Sequence, residues 1–590
     1  MTIPNMTTDP TRRRNSIRFG AFASALALAV LLGLPRGDSA ARAQTGNAGE
    51  SLELSRPARP WEFLAATGMR AGLFGNEAGK FEAWVYPLKI LREFHLRLHV
   101  DGAALPAEAL VRRVIVRPES STIVYAGDTF SVRETLFVPV HEPGAIIFLD
   151  VESEQPLEIE AAFQRDFQLE WPAGLGGTFH RWDYTLHAFG FGEEEHKFAA
   201  LVGSPTAGGH HEEYETNYAS SNEDSFSLGA TAEKNETKII VIAASVEGAA
   251  DAEATYKRLS ANANALLENS AEYYRKYLGD RVSVELPDAE IQQAYDWARI
   301  SVAQGMVTNP FLGTGLVAGY RTSGSGQRPG FAWYFGRDAL WSTLALDSEG
   351  DFATARAALE FLSKYQRDDG KIPHEISQGA TFVPWFKGYE YAYASADATP
   401  LFIIAMNDYV TQSGDVAFAK EKWDNIWKAY EFLRSTFDSQ GLAQNRGVGH
   451  GWVEGGPLLP VSAEIYQSGL GVEAGRAVAN LARLAGKLDE SKDAGATLDE
   501  QKARLNDAFW SPEQNTYAYA LDREGKRVAL PSVLATVPMW FDFLDAGNAD
   551  KMLAQLADED HETDWGMRII SSRWPQYSGG GYHYGSVWPL

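Results

Sequence analysis

Three stretches of this 590-residue chain combine ionisable and aromatic side chains with the glycines and prolines typical of long ordered loops. The first ends in Trp333, Arg337 and Asp338, directly before a helical pattern. A guanidinium donates hydrogen bonds and a carboxylate accepts them, so this pair can hold a polyhydroxylated ligand, and Trp333 can stack on its apolar face. The alternative is that Asp338 caps the helix and pairs with Arg337.

The second stretch carries Lys371, His374 and Glu375, which we expect at the rim of a pocket. Asp397 follows and precedes an apolar helical pattern, so an N-cap is its default interpretation and ligand binding is the alternative. Histidine is a common metal ligand, but no second histidine lies at a ligand spacing from His374 along the chain. The sequence therefore predicts no metal here.

The third stretch places Glu454 between Trp452 and the pair Gly455-Gly456. A carboxyl group in such surroundings is partly desolvated, and desolvation raises its pKa toward the range that a general acid needs. The pattern thus indicates an acid for proton transfer. An exposed loop glutamate is the alternative.

Regular elements must position these loops. Residues 60–249 show short alternating or apolar runs punctuated by Gly, Pro, Asp and Glu, which predicts a β-sandwich. Residues 250–287 indicate a helical linker, and residues 288–590 repeat apolar side chains at helical spacing. One example is the helix predicted over 417–437.

The helical region alternates short connections with three long loops, at residues 307–337, 368–394 and 438–461. Long ordered loops between helices usually carry function, and a ring of helical hairpins would place such loops on one face. Twelve helices with their loops need roughly 350–450 residues. Residues 288–590 supply 303, so we expect an α/α barrel that is incomplete at its C-terminus.

The N-terminus reads as an export signal. Arg12–Arg14 precede the apolar run 19–34, and Ala41–Ala43 form an A-x-A cleavage site. Residues 1–43 are thus interpreted as a signal peptide and 44–59 as a linker, which predicts a periplasmic or secreted protein. The arginines are similar to a twin-arginine signal, with an ordinary secretory signal as the alternative.

Composition limits the partners. A net charge of −25 repels nucleic acid, and the absence of cysteine excludes disulfides and thiol chemistry. Aromatic residues make up 12% of the chain, which suits stacking on sugar rings, although a large helical core also uses them. We expect no cofactor, no metal and no membrane contact of the mature form, and the sequence leaves the oligomeric state open.

Six motifs occur in one order: Trp333-x-x-Gly336-Arg337-Asp338, Gly370-x-Ile372-Pro373, Asp397-Ala398-Thr399-Pro400, Gly451-Trp452-Val453-Glu454, Asp564-Trp565-Gly566-x-Arg568 and Tyr582-His583-x-Gly585-x-Val587-Trp588-Pro589. This order resembles the glucosidase domain of glycogen debranching enzymes, related to bacterial amylo-alpha-1,6-glucosidases and more distantly to glucoamylases. The stretch Glu82–Pro87 is similar to the sandwich that precedes the barrel in bacterial members. The resemblance covers roughly residues 60–590.

The resemblance implies an (α/α)6 barrel and an inverting hydrolysis of α-glucosidic bonds by an acid and a base about 6.5–9.5 Å apart. It places the general acid on Glu454 and the grip on the nonreducing sugar on Arg337 and Asp338. It puts the general base on a loop beyond Leu590. The substrate-binding residues expected are Trp333, Arg337, Asp338, Lys371, His374, Asp397, Trp452, His583 and Trp588.

Two other functions stay open at this point. A phosphorylase on a similar barrel would replace base and water by phosphate, and a noncatalytic protein would only bind glycans. Within hydrolysis, α-1,6 and α-1,4 linkages both remain, as do glycogen-like substrates and periplasmic oligosaccharides.

Overall fold

The computed structural model describes residues 52–100, 102–212 and 222–587. The predicted signal peptide, residues 1–43, and the first part of the predicted linker lie outside these residues. Within the described residues, no helix is both long enough and apolar enough to span a bilayer.

The first half of the described chain is almost entirely β-structure. Its strands are β1 (Leu54–Pro57), β2 (Phe63–Thr67), β3 (Ala71–Asn76), β4 (Phe81–Val85), β5 (Leu88–Val100), β6 (Ala103–Pro106), β7 (Val111–Arg117), β8 (Ser120–Ala126), β9 (Phe130–Phe137), β10 (Gly144–Ser153), β11 (Glu158–Leu169), β12 (Thr178–Asp183), β13 (Ala188–Glu193), β14 (Ala199–Gly203), β15 (Gly209–His211), β16 (Glu223–Ala230) and β17 (Asn235–Ser245).

These strands form two antiparallel sheets, in the orders β1-β7-β8-β9-β10-β17-β14-β13-β12 and β15-β16-β11-β5-β4-β3-β2, with β6 on the side of β5. Strand β10 shows why its sequence is apolar without alternation. Ile147 and Leu149 point into the core between the sheets, whereas Ile146 and Phe148 pack on the opposite face against Leu259 of the first helix. Both faces of this strand are covered, so both sets of side chains are apolar.

Helices follow from residue 249. They are α1 (Ala249–Gly279), α2 (Ala289–Ala303), α3 (Gly336–Glu349), α4 (Phe352–Lys364), α5 (Trp385–Gly388), α6 (Ala398–Ser413), α7 (Val416–Glu421), α8 (Trp423–Ser435), α9 (Ile465–Ala485), α10 (Leu488–Gly495), α11 (Leu498–Phe509), α12 (Thr536–Trp540) and α13 (Ala546–Leu556). The helix predicted over 417–437 is divided at Lys422 into α7 and α8, and α7 packs on α9 while α8 packs mainly on α6.

Helices α3, α6, α9 and α12 pack side by side in chain order, and α4, α8 and α11 pack on the outside of α3, α6 and α9. We call the first four the inner helices. Helix α6 is apolar over most of its circumference because neighbours cover it on several sides. The predicted architecture, a β-sandwich followed by a helical region, is confirmed.

Each inner helix begins just after a short backbone bridge to a segment further along the chain. In the described chain these bridges are Phe335↔Glu375, Ser395↔His450, Glu464↔Ala520 and Ser532↔Ile570. The remaining short strands are β18 (Met306–Asn309), β19 (Gly313–Leu316), β20 (Tyr334–Phe335), β21 (Glu375–Ile376), β22 (Ala463–Glu464), β23 (Trp510–Ser511), β24 (Thr516–Tyr517), β25 (Ala520–Leu521), β26 (Arg527–Val528), β27 (Glu562–Thr563) and β28 (Gly566–Met567). The bridges fix where each inner helix starts.

Side chains of the sandwich form hydrogen bonds with the loop that leads into α3. The Glu82 carboxylate accepts hydrogen bonds from the backbone nitrogens of Ser323 (2.8 Å) and Gly324 (3.0 Å). The Lys89 ammonium, fully buried, donates to the carbonyls of Gly324 (2.6 Å) and Gly326 (3.0 Å). Because buried charges need such partners, these contacts of Glu82 and Lys89 hold the loop in one conformation.

Candidate active site

The loops singled out from the sequence converge where the inner helices begin. Arg337, Asp397 and Tyr466 each lie two residues after a bridge, on α3, just before α6 and on α9. The Asp397 Oδ2 atom accepts hydrogen bonds from Arg337 Nε (2.5 Å) and from the Tyr466 hydroxyl (3.2 Å). Equivalent positions on three neighbouring helices therefore form one chain of contacts.

The buried Arg337 guanidinium joins two of the long loops. Besides Asp397, it donates from Nη1 to Glu454 Oε1 (3.1 Å) and from Nη2 to the Gly451 carbonyl (2.5 Å). It also lies 5.4 Å from the ring centroid of Trp452. Burial is the largest influence and opposes the charged form, but Asp397, Tyr466 and Glu454 together outweigh it and raise the pKa of Arg337, so the guanidinium stays charged.

The helix-capping interpretation is right about the position of Asp397 and wrong about Asp338. Asp397 occupies the N-cap position of α6, but its side chain makes no capping hydrogen bond because its oxygens face Arg337 and Tyr466. Asp338 lies inside the first turn of α3, whose N-cap is Phe335, and Arg337 pairs with residues of other loops instead. Burial raises the pKa of Asp338, and the neighbouring Arg337 charge opposes this effect.

Glu454 lies beside Arg337 with 23% of its side chain exposed. Its Oε1 atom is also 3.7 Å from His374 Nε2, and its backbone nitrogen donates to His583 Nδ1 (3.3 Å). The carboxyl group is therefore held on one side and open to a ligand on the other. This geometry fits neither a fully buried carboxyl nor a free loop glutamate.

His583 reaches the site from the last described segment. Its backbone is in the left-handed region (φ 64°), and its ring stacks on Tyr582 at a centroid distance of 3.7 Å. Burial, and then the Arg337 charge, lower the pKa of His583 to about 3, so the ring is neutral and can accept the bond from Glu454. Trp588, also expected here, lies outside the described residues.

His374 and His450 pack against each other, with ring centroids 4.8 Å apart and planes at 85°. Burial and the Arg337 charge lower the pKa of His374 well below its usual value. One ligand atom from each of His374, His450 and Glu454 lies within 4.8 Å of the others. The sequence argument against a metal relied on spacing along the chain, and the fold removes that argument by bringing His450 to His374.

Lys371 also reaches this part of the structure. Its ammonium donates to the Val448 carbonyl (2.6 Å), which ties the second loop to the third. Burial lowers the pKa of Lys371 to about 8, and the Arg367 charge acts in the same direction. A lysine in this state can lose its proton near neutral pH.

Trp333 is not an open platform, because only 4% of its surface is exposed. Its ring packs edge-on against Trp171 (5.8 Å) and Phe335 (5.7 Å). Trp452 is also buried and meets Tyr466 edge-on at 6.3 Å. Both rings are covered by neighbouring aromatic side chains, and stacking of Trp333 on a ligand stays a prediction.

Sequence reasoning missed Trp171, which belongs to the sandwich. It lies edge-on to Trp333, Trp385 and Tyr389 at 5.6 to 5.8 Å, and the Arg328 guanidinium stacks 3.7 Å above its ring. The local pattern carries no signal for it, because Trp171 precedes these partners by more than 150 residues in a region that predicts only strands. The sandwich thus packs against the aromatic residues that lie next to the site.

Two buried glutamates are members of the bridges: Glu375, which the sequence placed at the rim of a pocket, and Glu464, which it did not single out. Glu375 accepts a hydrogen bond from the Tyr389 hydroxyl (2.9 Å), and burial raises its pKa to about 7. Burial raises the pKa of Glu464 to about 8. A side chain at Gly451 would place its Cβ in a severe clash with Glu464 Oε2, so the Gly-Trp-Val-Glu segment needs glycine to approach this carboxyl.

Comparisons with known proteins give one family match over part of the chain and similar folds among solved structures. Residues 461–590 match a family model described as the mannosylglycerate hydrolase MGH1-like glycoside hydrolase domain. A bacterial glucoamylase solved in complex with acarbose superposes with a TM-score of 0.55 at 12% identity, over 81% of this chain and 72% of that one. A putative kojibiose phosphorylase from the human microbiome superposes with a TM-score of 0.49 at 10% identity, over 77% of this chain and 69% of that one. No curated protein matches the sequence.

Residues 461–590 thus resemble a glycoside hydrolase domain, and the described chain is similar in fold to a glucoamylase. The similarity of fold extends to the order of the two parts, a sandwich followed by a helical region.

Proposed function

We propose that this chain is an exported glycoside hydrolase that cleaves α-glucosidic bonds with inversion of configuration. Its substrates are glycogen-like glucans or periplasmic oligosaccharides with α-1,6 or α-1,4 linkages. The observation that carries the proposal is the Glu454 carboxyl, partly open and fixed by Arg337, which Asp397 fixes in turn. The family match over residues 461–590 supports a carbohydrate as the ligand.

In this proposal Glu454 donates its proton to the glycosidic oxygen as the bond breaks. Asp338 accepts hydrogen bonds from sugar hydroxyls, and Arg337 keeps Glu454 in a fixed relation to the buried Asp397. Water attacks the opposite face of the ring, helped by a general base that the family resemblance puts on a later loop. Trp171 and its aromatic neighbours shape one wall of the cleft.

A substrate screen with anomer-resolved NMR tests the proposal. A protein that includes the loop on which the family resemblance places the general base is incubated with α-1,4- and α-1,6-linked gluco-oligosaccharides, with and without inorganic phosphate. Early release of the β-anomer without phosphate is expected. Early α-anomer would contradict inversion, phosphate-dependent sugar phosphate would show a phosphorylase, and binding without turnover would show a noncatalytic protein.

Export is tested separately by fractionating bacterial cells that express the full chain. We expect a shortened protein, cleaved after Ala43, in the periplasm or medium. Full-length protein confined to the cytoplasm would contradict this part of the proposal.

A further inference from the structure

Beyond the hydrolytic residues, the candidate active site contains a second arrangement with its own chemistry. His374, His450 and Glu454 place one nitrogen or oxygen ligand each within 4.8 Å of one another. Two imidazoles and one carboxylate are a ligand set that three-coordinate protein zinc sites use, with the fourth position left to water. We propose that this cluster binds Zn²⁺ or a similar transition-metal ion.

The backbone holds both histidines in place. The carbonyl of His450 accepts a hydrogen bond from the Ala396 nitrogen (2.7 Å), and the His374 nitrogen donates to the Ala392 carbonyl (2.8 Å). The His374 carbonyl in turn accepts from the Gly336 nitrogen (2.9 Å). The backbones that carry the two imidazoles are therefore anchored near the start of α3 and α6, and the rings already lie against each other without a metal.

The ring nitrogens have lone pairs for a metal. His450 Nδ1 lies 3.0 Å from the Gly451 carbonyl, which can only accept, so Nδ1 carries the proton and Nε2 is left as a ligand. This arrangement, one ring nitrogen bonded to a carbonyl and the other facing the metal, is usual for metal-binding histidine. The buried His374 Nδ1 has no hydrogen-bond partner among the described residues.

The spacing needs only a modest adjustment. Donor atoms around a tetrahedral Zn²⁺ are about 3.4 Å apart, given metal–ligand distances of about 2.1 Å. Contraction from at most 4.8 Å requires small rotations of all three side chains, of which Glu454 is the partly exposed one. A carboxylate has two oxygens, so Glu454 can keep Arg337 on Oε1 and offer Oε2.

The charge balance permits a cation but weakens its binding. Arg337, Asp397 and Glu454 together carry one negative charge, and the two imidazoles add none when neutral. Lys371 opposes the cation, because its ammonium acts on His374 from its place on the Val448 carbonyl. We therefore expect reversible binding, weaker than at a dedicated structural zinc site, with no binding of Mg²⁺ or Ca²⁺, which prefer oxygen ligands.

Binding has a functional consequence that rests on the proposed role of Glu454. A metal on this carboxylate prevents it from carrying the proton that the leaving group needs. Zn²⁺ is therefore expected to inhibit hydrolysis, competitively with the substrate. The binding itself does not depend on that role, so the two proposals can fail separately.

Calorimetric titration of the metal-free protein with Zn²⁺ tests the site, supported by the visible absorption of bound Co²⁺. Wild type should bind one ion, and His450→Ala should bind it at least about tenfold more weakly. The matched control is His141→Ala, which removes an exposed histidine that packs edge-on to Tyr273 outside the cluster. Circular dichroism verifies that each variant is folded.

Equal Zn²⁺ affinity of wild type and His450→Ala would overturn the site, as would a wild type that binds no ion. If His450→Ala does not fold, Glu454→Gln replaces it, because Gln keeps the shape and removes the anionic ligand. Zn²⁺ binding without any glycosidase activity would uphold the site and contradict the proposed function. Activity without Zn²⁺ binding would do the reverse.

Discussion

At the scale of residues, the site depends on one buried guanidinium. Arg337 contacts Asp397, Glu454 and the Gly451 carbonyl, so a single side chain fixes the distance between two loops that are more than 50 residues apart in sequence. A buried ion pair contributes less to stability than its geometry suggests, but removing one partner leaves a charge without compensation. The effects of substitutions here should follow from this asymmetry.

Glu454→Gln keeps the size of the side chain and removes its ionisable proton. General acid catalysis is commonly worth about 10²–10⁴-fold, so kcat on a natural glycan should fall by that factor. A glycosyl fluoride needs less protonation of its leaving group and should be affected less. Steady-state kinetics on both substrates measure the difference, and near-wild-type rates on the glycan would remove Glu454 from the mechanism.

Asp397→Asn removes the negative partner of Arg337 while preserving shape. Breaking a buried pair commonly costs about 3–5 kcal/mol, so the free energy of unfolding should drop by roughly that amount. Urea denaturation measures it, with Asp338→Asn as the matched control, because Asp338 is only half-buried and Arg337 pairs elsewhere. Equal losses for the two variants would show that the Arg337 pair has no special weight.

At the scale of elements, the hydrogen bonds between the sandwich and the loop before α3 determine how firmly that loop is held. The Glu82 carboxylate accepts hydrogen bonds from two backbone nitrogens of that loop. The Trp171 backbone nitrogen donates a hydrogen bond to the Gln327 carbonyl (3.1 Å). The same loop carries Arg328, which covers the Trp171 ring. The sandwich is therefore part of the site and not only a neighbouring domain.

Glu82→Ala should loosen this loop without unfolding the sandwich. The backbone nitrogens of Ser323 and Gly324 lose their acceptor, so their hydrogen exchange should accelerate markedly. Hydrogen–deuterium exchange with mass spectrometry measures the exchange rate of residues 321–330, with the rate of strand β10 as an internal reference. Glu152→Ala, at an exposed position of that strand, is the control, and unchanged exchange in the loop would contradict the role of Glu82.

Periodicity predicted most of the elements, because local patterns determine strands and helices. It also brought Arg337, Asp397 and Glu454 into one proposed site. It did not predict the ion pair between Arg337 and Asp397, since helix capping is the better local explanation of both aspartates. His450 beside His374 and Trp171 beside Trp333 were not predictable either, because only the tertiary fold brings such distant segments together.

At the scale of the whole molecule, several buried carboxyl groups have raised pKa values. Burial raises the pKa to about 8 for Glu134, Asp347 and Glu464 and to about 7 for Glu375 and Glu473. Unfolded, these groups have their usual values of 4.5 for Glu and 3.8 for Asp. The folded protein binds more protons between these limits, so its stability falls as pH rises through the raised values.

The melting temperature should therefore be higher near pH 6 than near pH 8.5. Calorimetry across this range measures the slope, and Glu134→Gln should reduce it, because Gln keeps an acceptor for the Tyr125 hydroxyl but cannot ionise. A tenfold change in a proton-binding constant corresponds to about 1.4 kcal/mol, so several such groups together give a measurable slope. A melting temperature that rises toward pH 8.5 would contradict this account.

The backbone bridges before the inner helices have a consequence for biosynthesis. They join residues only 40, 55, 56 and 38 positions apart, so each helical hairpin can close soon after its own segment is synthesised. The contacts from Arg337 to Asp397 and from Asp397 to Tyr466, in contrast, connect successive hairpins. We expect the helical hairpins to form one after another on the ribosome. Limited proteolysis of chains stalled after each bridge would reveal whether resistance to the protease increases by one hairpin at a time.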